Sequence, residues 1–255
     1  DVRLRQAARY LYDAETYIET FFNVSRYTSQ GLPYETMHVT NLAPQCFNWI
    51  DPRSSEFGEN AKYFEFNPEE AKKLISASGF DGTIDFYWRA GARATAAEVM
   101  SQMLQVGFKV NSKSLEANVE WRKYKVDGPD TYAGMLGSTA QSFNDDGFLL
   151  TKYTPGGSDR VSNHPIPGVT DVVTKIQREL DPARQAEMIK QLQRDMAPMA
   201  LDFAEDTIQR EFEVHWPWFK NYRVFTSAGY SPTGTSARPY TQYWYDASLD
   251  KNARR

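Results

Sequence analysis

The sequence has one cysteine in 255 residues, no long apolar run and no cluster of basic residues. A single cysteine excludes an internal disulfide framework and a CxxC metal or redox site, and we expect Cys46 to be a small buried hydrophobe. No apolar stretch approaches the ~20 residues that a membrane-spanning helix needs. Because the net charge is -4 and the Lys and Arg residues are scattered, the sequence argues against nucleic acid and anionic membranes as direct partners.

The sequence also has no recognisable catalytic or metal-binding motif. It contains neither a G-x-S-x-G elbow nor an H-E-x-x-H pair, and no nucleophile–base pair stands out. The three histidines, His38, His164 and His215, do not have metal-ligand spacing. FNDDGF (143–148) lacks the alternating carboxylates of a calcium loop, so we interpret it as a turn and PGGSDR (155–160) as a loop. The sequence therefore predicts no metal, no cofactor and no catalysis.

Aromatic residues are the abundant class, since Phe, Trp and Tyr make up 14% of the chain. Such residues build cores, but they also line ligand clefts. Residues 24–66 are rich in turn formers and hold no periodic segment. A stretch of that length without regular structure is unusual in a compact domain, so we expect residues 24–66 to wrap a surface or a cleft.

Two capped helices are predicted near the start of the chain. Asp1 is a candidate N-cap, and apolar residues follow it at helical spacing. In FNPEEAKKLISASGF, Asn67 fits the N-cap, and the Glu70 carboxylate is placed to accept a hydrogen bond from the backbone of that cap. Gly79 is expected to end the helix in the left-handed conformation. The second helix therefore runs over about 68–78. The predicted core residues of the two helices are Leu4, Ala7, Ala8, Leu11 and Tyr12, then Ala71, Leu74 and Ile75.

Strands and helices alternate in the rest of the chain. Strands are predicted at 83–89, 108–115, 131–137 and 199–204. Thr95-Ala-Ala-Glu98 reads as a capping box that opens a helix ended by Gly107. Two further helices have clear core-facing stripes, and Asp181-Pro182 begins the second of them. The stripe residues are Val169, Val172, Val173 and Ile176, then Ile189, Leu192 and Met196. This alternation predicts an α/β domain with a parallel or mixed sheet flanked by helices.

The order of these elements resembles the family 5 extracellular solute-binding proteins of ATP-binding-cassette (ABC) importers, a group that includes dipeptide-, oligopeptide- and nickel-binding proteins. The matching segments lie within residues 1–204, and the tail matches loosely. They are DVRLRQAARYLYDAETY, FNPEEAKKLISASGF, AAEVMSQMLQVGFKVNSKSLEANVEW, DTYAGMLGS and PGVTDVVTKIQRELDPARQAEMIKQLQRDMA. The resemblance implies a lobe of the type II periplasmic-binding-protein fold.

In that family, the helix beginning at a D-x-R-x-R-x-A stretch lies well inside the chain. The resemblance therefore implies that the sequence is a piece of a receptor, with residues 1–204 as a C-terminal ligand-binding lobe and 205–255 returning toward a first lobe. Such receptors capture an oligopeptide, a sugar or a similar solute at the periplasmic or extracellular face of the cell membrane. They deliver it to an importer permease and touch the membrane only through that permease or a lipid anchor. A receptor-like sensory or interaction domain of the same fold, without a transport role, is the alternative, and an enzyme is the third hypothesis.

The resemblance also implies a ligand site at the strand ends. Trp88 and Arg89 end the first strand, and Trp121 falls where peptide-binding relatives place a pocket tryptophan, with a core position as the alternative. The remaining predicted contacts follow Gly137. They are Ser138, Thr139, Gln141, Phe143, Asn144 and Asp145.

The segment after Gly137 departs from the pattern of those relatives. They often carry Gly-Trp there, followed three residues later by an Asp that pairs with the ligand's α-ammonium, but here Ser138 and Gln141 take those places. A neutral amide cannot form that charge-assisted bond, although it suits a hydroxyl-rich ligand. This favours a sugar or an unusual peptide over a standard short peptide. A shifted alignment would instead give the role to Asp145 or Asp146.

Overall fold

The computed structural model describes residues 1–32, 34–44, 46–90, 94–116, 119–120, 134–136, 145–158, 160–202, 207–208, 217–220 and 244–249. In these ranges the helices are α1 (Val2–Tyr10), α2 (Ala14–Phe22), α3 (Val24–Ser29), α4 (Pro68–Ser78), α5 (Ala94–Leu104), α6 (Asp145–Tyr153), α7 (Thr170–Arg178) and α8 (Pro182–Met196). Two 3₁₀ helices cover Ser55–Phe64 and Ala197–Met199. None of the helices in the described ranges has the length and apolar character needed to cross a membrane.

The predicted N-caps are confirmed in three helices. The side chain of Asp1 accepts a hydrogen bond from the backbone of Arg3 at 2.9 Å, and that of Asp181 accepts one from Ala183, also at 2.9 Å. Asn67 caps α4 in the same way, and α4 ends at Gly79 with a φ of 72°. These local rules therefore fix the start of α1 and α8 and both ends of α4.

The second half of the predicted α4 capping box is wrong. The backbone N–H of Asn67 donates to the carbonyl of Tyr10 at 2.8 Å instead of to Glu70. The Glu70 carboxylate pairs with Lys73, 3.2 Å away. A contact with the end of α1 thus replaces the local bond, and it joins the two helices.

A parallel three-stranded sheet forms the centre of the α/β part. Strand β2 (Thr83–Arg89) lies between β3 (Lys109–Leu115) and β4 (Gly134–Leu136), and it is parallel to both. Helix α5 connects β2 to β3, as a parallel crossover requires. Antiparallel pairing occurs separately, in two short ribbons. These are β1 (Thr36–Met37) with β5 (Thr207–Ile208), and β6 (Phe219–Lys220) with β7 (Trp244–Tyr245).

The first core packs α1, α4 and α5 against β2. Helix α5 begins at Ala94, so Thr95 lies inside its first turn and is not the predicted N-cap. Gly107 follows α5 for a packing reason, since a Cβ there would lie 2.9 Å from the Leu11 side chain and 3.1 Å from that of Ile75. The buried members of this core include Ala7, Ala8, Leu11, Tyr12, Ala71, Ile75, Phe86, Met100 and Leu104.

The second core is helical and packs α6, α7 and α8 together. Its fully buried residues confirm the two predicted stripes, with Val172 only partly buried. They include Val169, Val173, Ile176, Ile189, Leu192 and Met196. The turn predicted for FNDDGF is wrong from Asp145 onward, because α6 begins there. PGGSDR is irregular, as predicted, in its described residues.

Two further expectations fail because of tertiary packing. The predicted strand at 199–204 is absent over 199–202, where Met199 ends a 3₁₀ helix and Ala200 is left-handed with a φ of 43°. Residues 24–66 do not simply wrap a surface or a cleft. Most of the described residues in 37–50 are buried, and Leu42, Ala43 and Cys46 belong to the helical core.

Candidate functional site

The carboxyl ends of three strands meet at one edge of the parallel sheet. The register pairs Arg89 of β2 with Leu115 of β3, and Tyr87 of β2 with Leu136 of β4. The backbone N–H of Ala90 also donates to Leu115, at 2.8 Å. Ligands of open α/β sheets bind outside the carboxyl ends of the strands, so this edge is the candidate site.

The structure places Trp88 and Arg89 at that edge. Trp88 is half-buried, and its ring centroid lies 5.9 Å from that of the buried Phe86. Trp88 therefore packs on the first core with part of its surface still accessible. Arg89 is the last residue of β2. Six other predicted contacts lie outside the described residues and stay predictions. They are Trp121, Ser138, Thr139, Gln141, Phe143 and Asn144.

Two glutamates that the sequence analysis did not single out stand just beyond β3. Glu116 accepts a hydrogen bond from the backbone N–H of Val119 at 2.7 Å, and Glu120 accepts one from the backbone N–H of Glu116 at 2.7 Å. Both glutamates are exposed. An acidic residue directly after a predicted strand was the available signal, and these two carboxylates give the edge negative charge.

Asp145, the last predicted contact, is buried at the first residue of α6. Its Oδ2 accepts hydrogen bonds from the backbone N–H of Asn48 at 2.9 Å and from the Asn48 side chain at 2.5 Å. Burial and the nearby Asp145 carboxylate raise the pKa of the Cys46 thiol, and Cys46 is a buried free cysteine as predicted. Asp145 therefore ties the start of α6 to residues 46–49, here called the CFNW loop.

The CFNW loop is held from its other side by α8. Gln193 is 1% exposed, donates to the carbonyl of Asn48 at 2.7 Å and accepts from the backbone N–H of Ile50 at 3.1 Å. These partners are 145 and 143 residues apart in sequence, so no local pattern could have revealed them. The CFNW loop is therefore hydrogen-bonded to the start of α6 on one side and to α8 on the other.

A buried ion pair links α6 to the segment that follows α8. The Nζ of Lys152 lies 2.5 Å from Oδ2 of Asp202, while Tyr153 and Asn41 donate to its Oδ1 at 2.9 and 2.8 Å. Burial alone would raise the pKa of Asp202, but the Lys152 ammonium and the hydrogen bonds from its three neighbours lower it. Asp202 is therefore a structural carboxylate held in its charged form.

The histidines in the described ranges do not assemble a metal site. His38 is buried, with its Nε2 3.2 Å from a carboxylate oxygen of Glu15. Burial and the nearby Arg53 lower the pKa of His38, although Glu15 and Asp51 oppose them. His164 is exposed, and His215 lies outside the described residues. No group of three or more His, Cys, Asp or Glu in the described part of the chain could hold a metal ion.

Comparison with known proteins gives a family match over residues 1–160, to the bacterial extracellular solute-binding proteins, family 5 middle. The dipeptide-binding protein of Escherichia coli (strain K12) is 23% identical over 221 residues. The match covers 82% of this chain and 38% of that protein.

Solved structures of binding proteins share the fold. The ABC transporter substrate-binding protein CtaP of Listeria monocytogenes matches with a TM-score of 0.64 and 18% identity, over 81% of this chain and 40% of that one. The oligopeptide-binding protein AppA of Bacillus subtilis, solved with a nonapeptide, matches with a TM-score of 0.62 and 11% identity, over 96% and 47%. The chain thus spans less than half the length of these relatives.

Proposed function

The chain belongs to the family 5 bacterial extracellular solute-binding proteins, and we propose that it forms the ligand-binding lobe of a receptor for a peptide-like solute. Homologues in this family bind peptides or small solutes for ABC importers, and they are extracytoplasmic. The proposed receptor works at the periplasmic or outer face of the membrane. It delivers its solute to an importer permease and performs no catalysis.

The observation that carries the proposal is the shared edge where β2, β3 and β4 end. A half-buried tryptophan, an arginine and two exposed glutamates belong to that edge or its immediate continuation. An unmodified peptide carries a carboxylate at one end and an ammonium at the other. Arginine and glutamate are the side chains that pair with these two groups through charge-assisted hydrogen bonds, so the composition of the edge suits a peptide-like zwitterion.

We further propose that Trp121 and residues 138–144 complete the site from the loops after β3 and β4. Asp145 then acts indirectly, since its carboxylate is bonded to Asn48 and turned away from solvent. The neutral Gln141 leaves the ammonium partner open, and Glu116 or Glu120 supplies the missing charge. A hydroxyl-rich solute is the alternative ligand if neither glutamate contacts it.

The proposed division of the chain keeps residues 1–204 as the lobe and 205–255 as a segment returning toward the rest of the receptor. Strand β5, in that segment, pairs with β1 of the lobe, which supports a return path that begins on the lobe itself. Because the relatives are more than twice as long as the matched region, the receptor's transport role belongs to the whole protein.

Mass spectrometry of small molecules released from the denatured intact receptor tests the proposal. We expect a peptide-like zwitterion to be released, and the same compound to raise the melting temperature when added back. A ligand at one hundred times its dissociation constant stabilises a folded protein by about 2.7 kcal/mol. Chemical turnover of the bound compound, or release of a compound without charged groups, would contradict the proposal.

A further inference from the structure

A cavity of about 360 Å³ lies between α1, α4 and the 3₁₀ helix Ser55–Phe64. Its described lining residues belong to α1, to α4 or to residues 62–67, so it shares none of them with the edge where the strands end. A volume of this size is typical of a site for a small ligand. The lining residues that give the cavity its chemistry are Tyr10, Lys62, Tyr63, Glu65, Glu70 and Leu74.

Tyr10 is the most deeply buried of the described lining residues. It is 8% exposed, and its ring packs in the first core with the centroid 6.3 Å from that of Tyr63. The Tyr10 hydroxyl forms no hydrogen bond with any residue that the structure describes. Polar groups in such buried side chains normally have a partner. The hydroxyl is therefore available to a ligand that enters the cavity.

The surroundings of the Tyr10 hydroxyl are negative. Burial raises the pKa of Tyr10, and the nearby Tyr63, Glu70 and Glu65 raise it further. The exposed Glu65 carboxylate has no ion-pair partner in the described ranges. Glu70 pairs at 3.2 Å with Lys73, whose side chain is 74% exposed, and ion pairs that exposed are weak. Both carboxylates can therefore bind a cation in the cavity.

The cavity wall distinguishes between kinds of cation. A metal ion does not fit, because no group of three or more His, Cys, Asp or Glu in the described part of the chain could hold one. The wall also contains two tyrosine rings and the partly buried Leu74. A guanidinium stacks on aromatic rings and donates from several N–H groups at once, whereas an ammonium is compact and strongly hydrated. Tyrosines and carboxylates together therefore favour a guanidinium.

We propose that this cavity binds a guanidinium group, carried either by an arginine side chain of a partner protein or by a small guanidino compound. The carboxylates of Glu65 and Glu70 and the hydroxyl oxygen of Tyr10 accept hydrogen bonds from its N–H groups, and the tyrosine rings pack against its plane. This site is independent of the solute bound at the strand-end edge, so its failure leaves the proposed function intact.

Calorimetry on the intact receptor with three capped amino acids tests the inference. They are N-acetyl-arginine amide, N-acetyl-lysine amide and N-acetyl-glutamine amide. Their capped ends carry no charge, so they do not resemble the zwitterion proposed for the strand-end edge. We expect the arginine derivative to bind, the lysine derivative to bind more weakly, and the glutamine derivative to show no binding.

Variants of the lining residues identify the site of binding. Loss of two charge-assisted hydrogen bonds in E65Q/E70Q should weaken binding of the arginine derivative about tenfold or more, and Y10F should weaken it about two- to tenfold. Lys62 also lines the cavity, with its ammonium 5.3 Å from the centroid of the Tyr63 ring. Because K62M removes a charge of the same sign as the ligand, it should bind more tightly, whereas an anionic ligand would show the reverse.

The matched control is E59Q/E69Q. Glu59 lies in the 3₁₀ helix and Glu69 in α4, and both are exposed and do not line the cavity. At about 0.15 M salt, where charges beyond roughly 8 Å are screened, this control should change the affinity less than about twofold.

Methylguanidine separates the two sources of the group. The aliphatic stem of arginine can pack on the apolar wall, so tighter binding of the arginine derivative than of methylguanidine indicates an arginine of a partner protein. Equal affinities indicate a small guanidino compound.

Three results would overturn the inference. They are no binding of the arginine derivative, equal binding of the lysine derivative, and an unchanged affinity in both Y10F and E65Q/E70Q. The melting temperature of Y10F provides a further check. It should equal that of the parent, and a lower value would show that the Tyr10 hydroxyl already has a partner in the intact receptor.

Discussion

Lys152 and Asp202 form an ion pair with 2.5 Å between Nζ and Oδ2, and their side chains are only 9% and 14% exposed. Removing one partner of a buried pair leaves an uncompensated charge, at a cost of about 3–5 kcal/mol. We therefore expect K152M to lower the free energy of unfolding of the intact receptor by that amount, measured by urea denaturation. The double variant K152M/D202N should recover much of the loss, because the amide that replaces the carboxylate carries no charge and still accepts from Tyr153. A loss below 1 kcal/mol in K152M would show that the pair behaves like a surface ion pair.

The lowered pKa of Asp202 predicts how the stability of the protein changes at acid pH. The folded-state pKa of Asp202 is lowered, so the unfolded chain takes up a proton at higher pH than the folded protein does. The contribution of Asp202 to the free energy of unfolding is complete above its pKa in the unfolded chain, about 3.9. That contribution is lost as the pH falls through the lower pKa of the folded state. Melting temperatures measured from pH 6 to pH 2 should fall less steeply below pH 4 in D202N than in the parent. Equal slopes in D202N and the parent would count against the assignment.

The close packing around Gly107 predicts that a larger residue there destabilises the protein, and Gly156 provides the control. A methyl group at position 107 would lie 2.9 Å from the Leu11 side chain and 3.1 Å from that of Ile75, whereas one at Gly156 meets nothing within 4 Å. Overpacking of this kind costs about 1–3 kcal/mol. We expect G107A to destabilise the protein by that amount and G156A to change stability by less than about 0.5 kcal/mol, as measured by chemical denaturation. Similar values for the two variants would refute the packing role of Gly107.

Replacing Gln141 by aspartate is predicted to raise the affinity for peptides with a free α-ammonium group. If it stands at the position of the ammonium-binding acid of peptide-binding relatives, then Q141D adds a charge-assisted hydrogen bond worth roughly 1.5–3 kcal/mol, or about tenfold or more in affinity. Calorimetry at neutral pH should show tighter binding of Gly-Phe-Gly but not of its N-acetylated form. Q141N is the neutral control. An unchanged affinity in Q141D would place the ammonium elsewhere and favour Glu116 or Glu120.

The sequence by itself determined what depends on neighbours within one helical turn or one strand. Asn67, Asp181 and Gly79 mark helix ends because their bonds and φ preferences are local. The valine and isoleucine stripes of the last two helices identify buried faces because helical periodicity alone places them on one side. The strand–helix order was also enough to indicate the family and the edge that carries Trp88.

The tertiary structure decided what depends on residues far apart in the chain. The backbone N–H of Asn67 donates to Tyr10 and not to the Glu70 carboxylate. Over 199–202 the expected strand is replaced by the end of a 3₁₀ helix and a left-handed Ala200, and Asp202 pairs with Lys152. Asp145 was predicted to contact the ligand, but its carboxylate accepts a hydrogen bond from Asn48, 97 residues away in the sequence. Buried polar groups must find a partner wherever folding brings one, and a local pattern does not contain that information. For this reason the sequence predicted the edge, whereas only packing identified the contacts of the CFNW loop with α6 and α8.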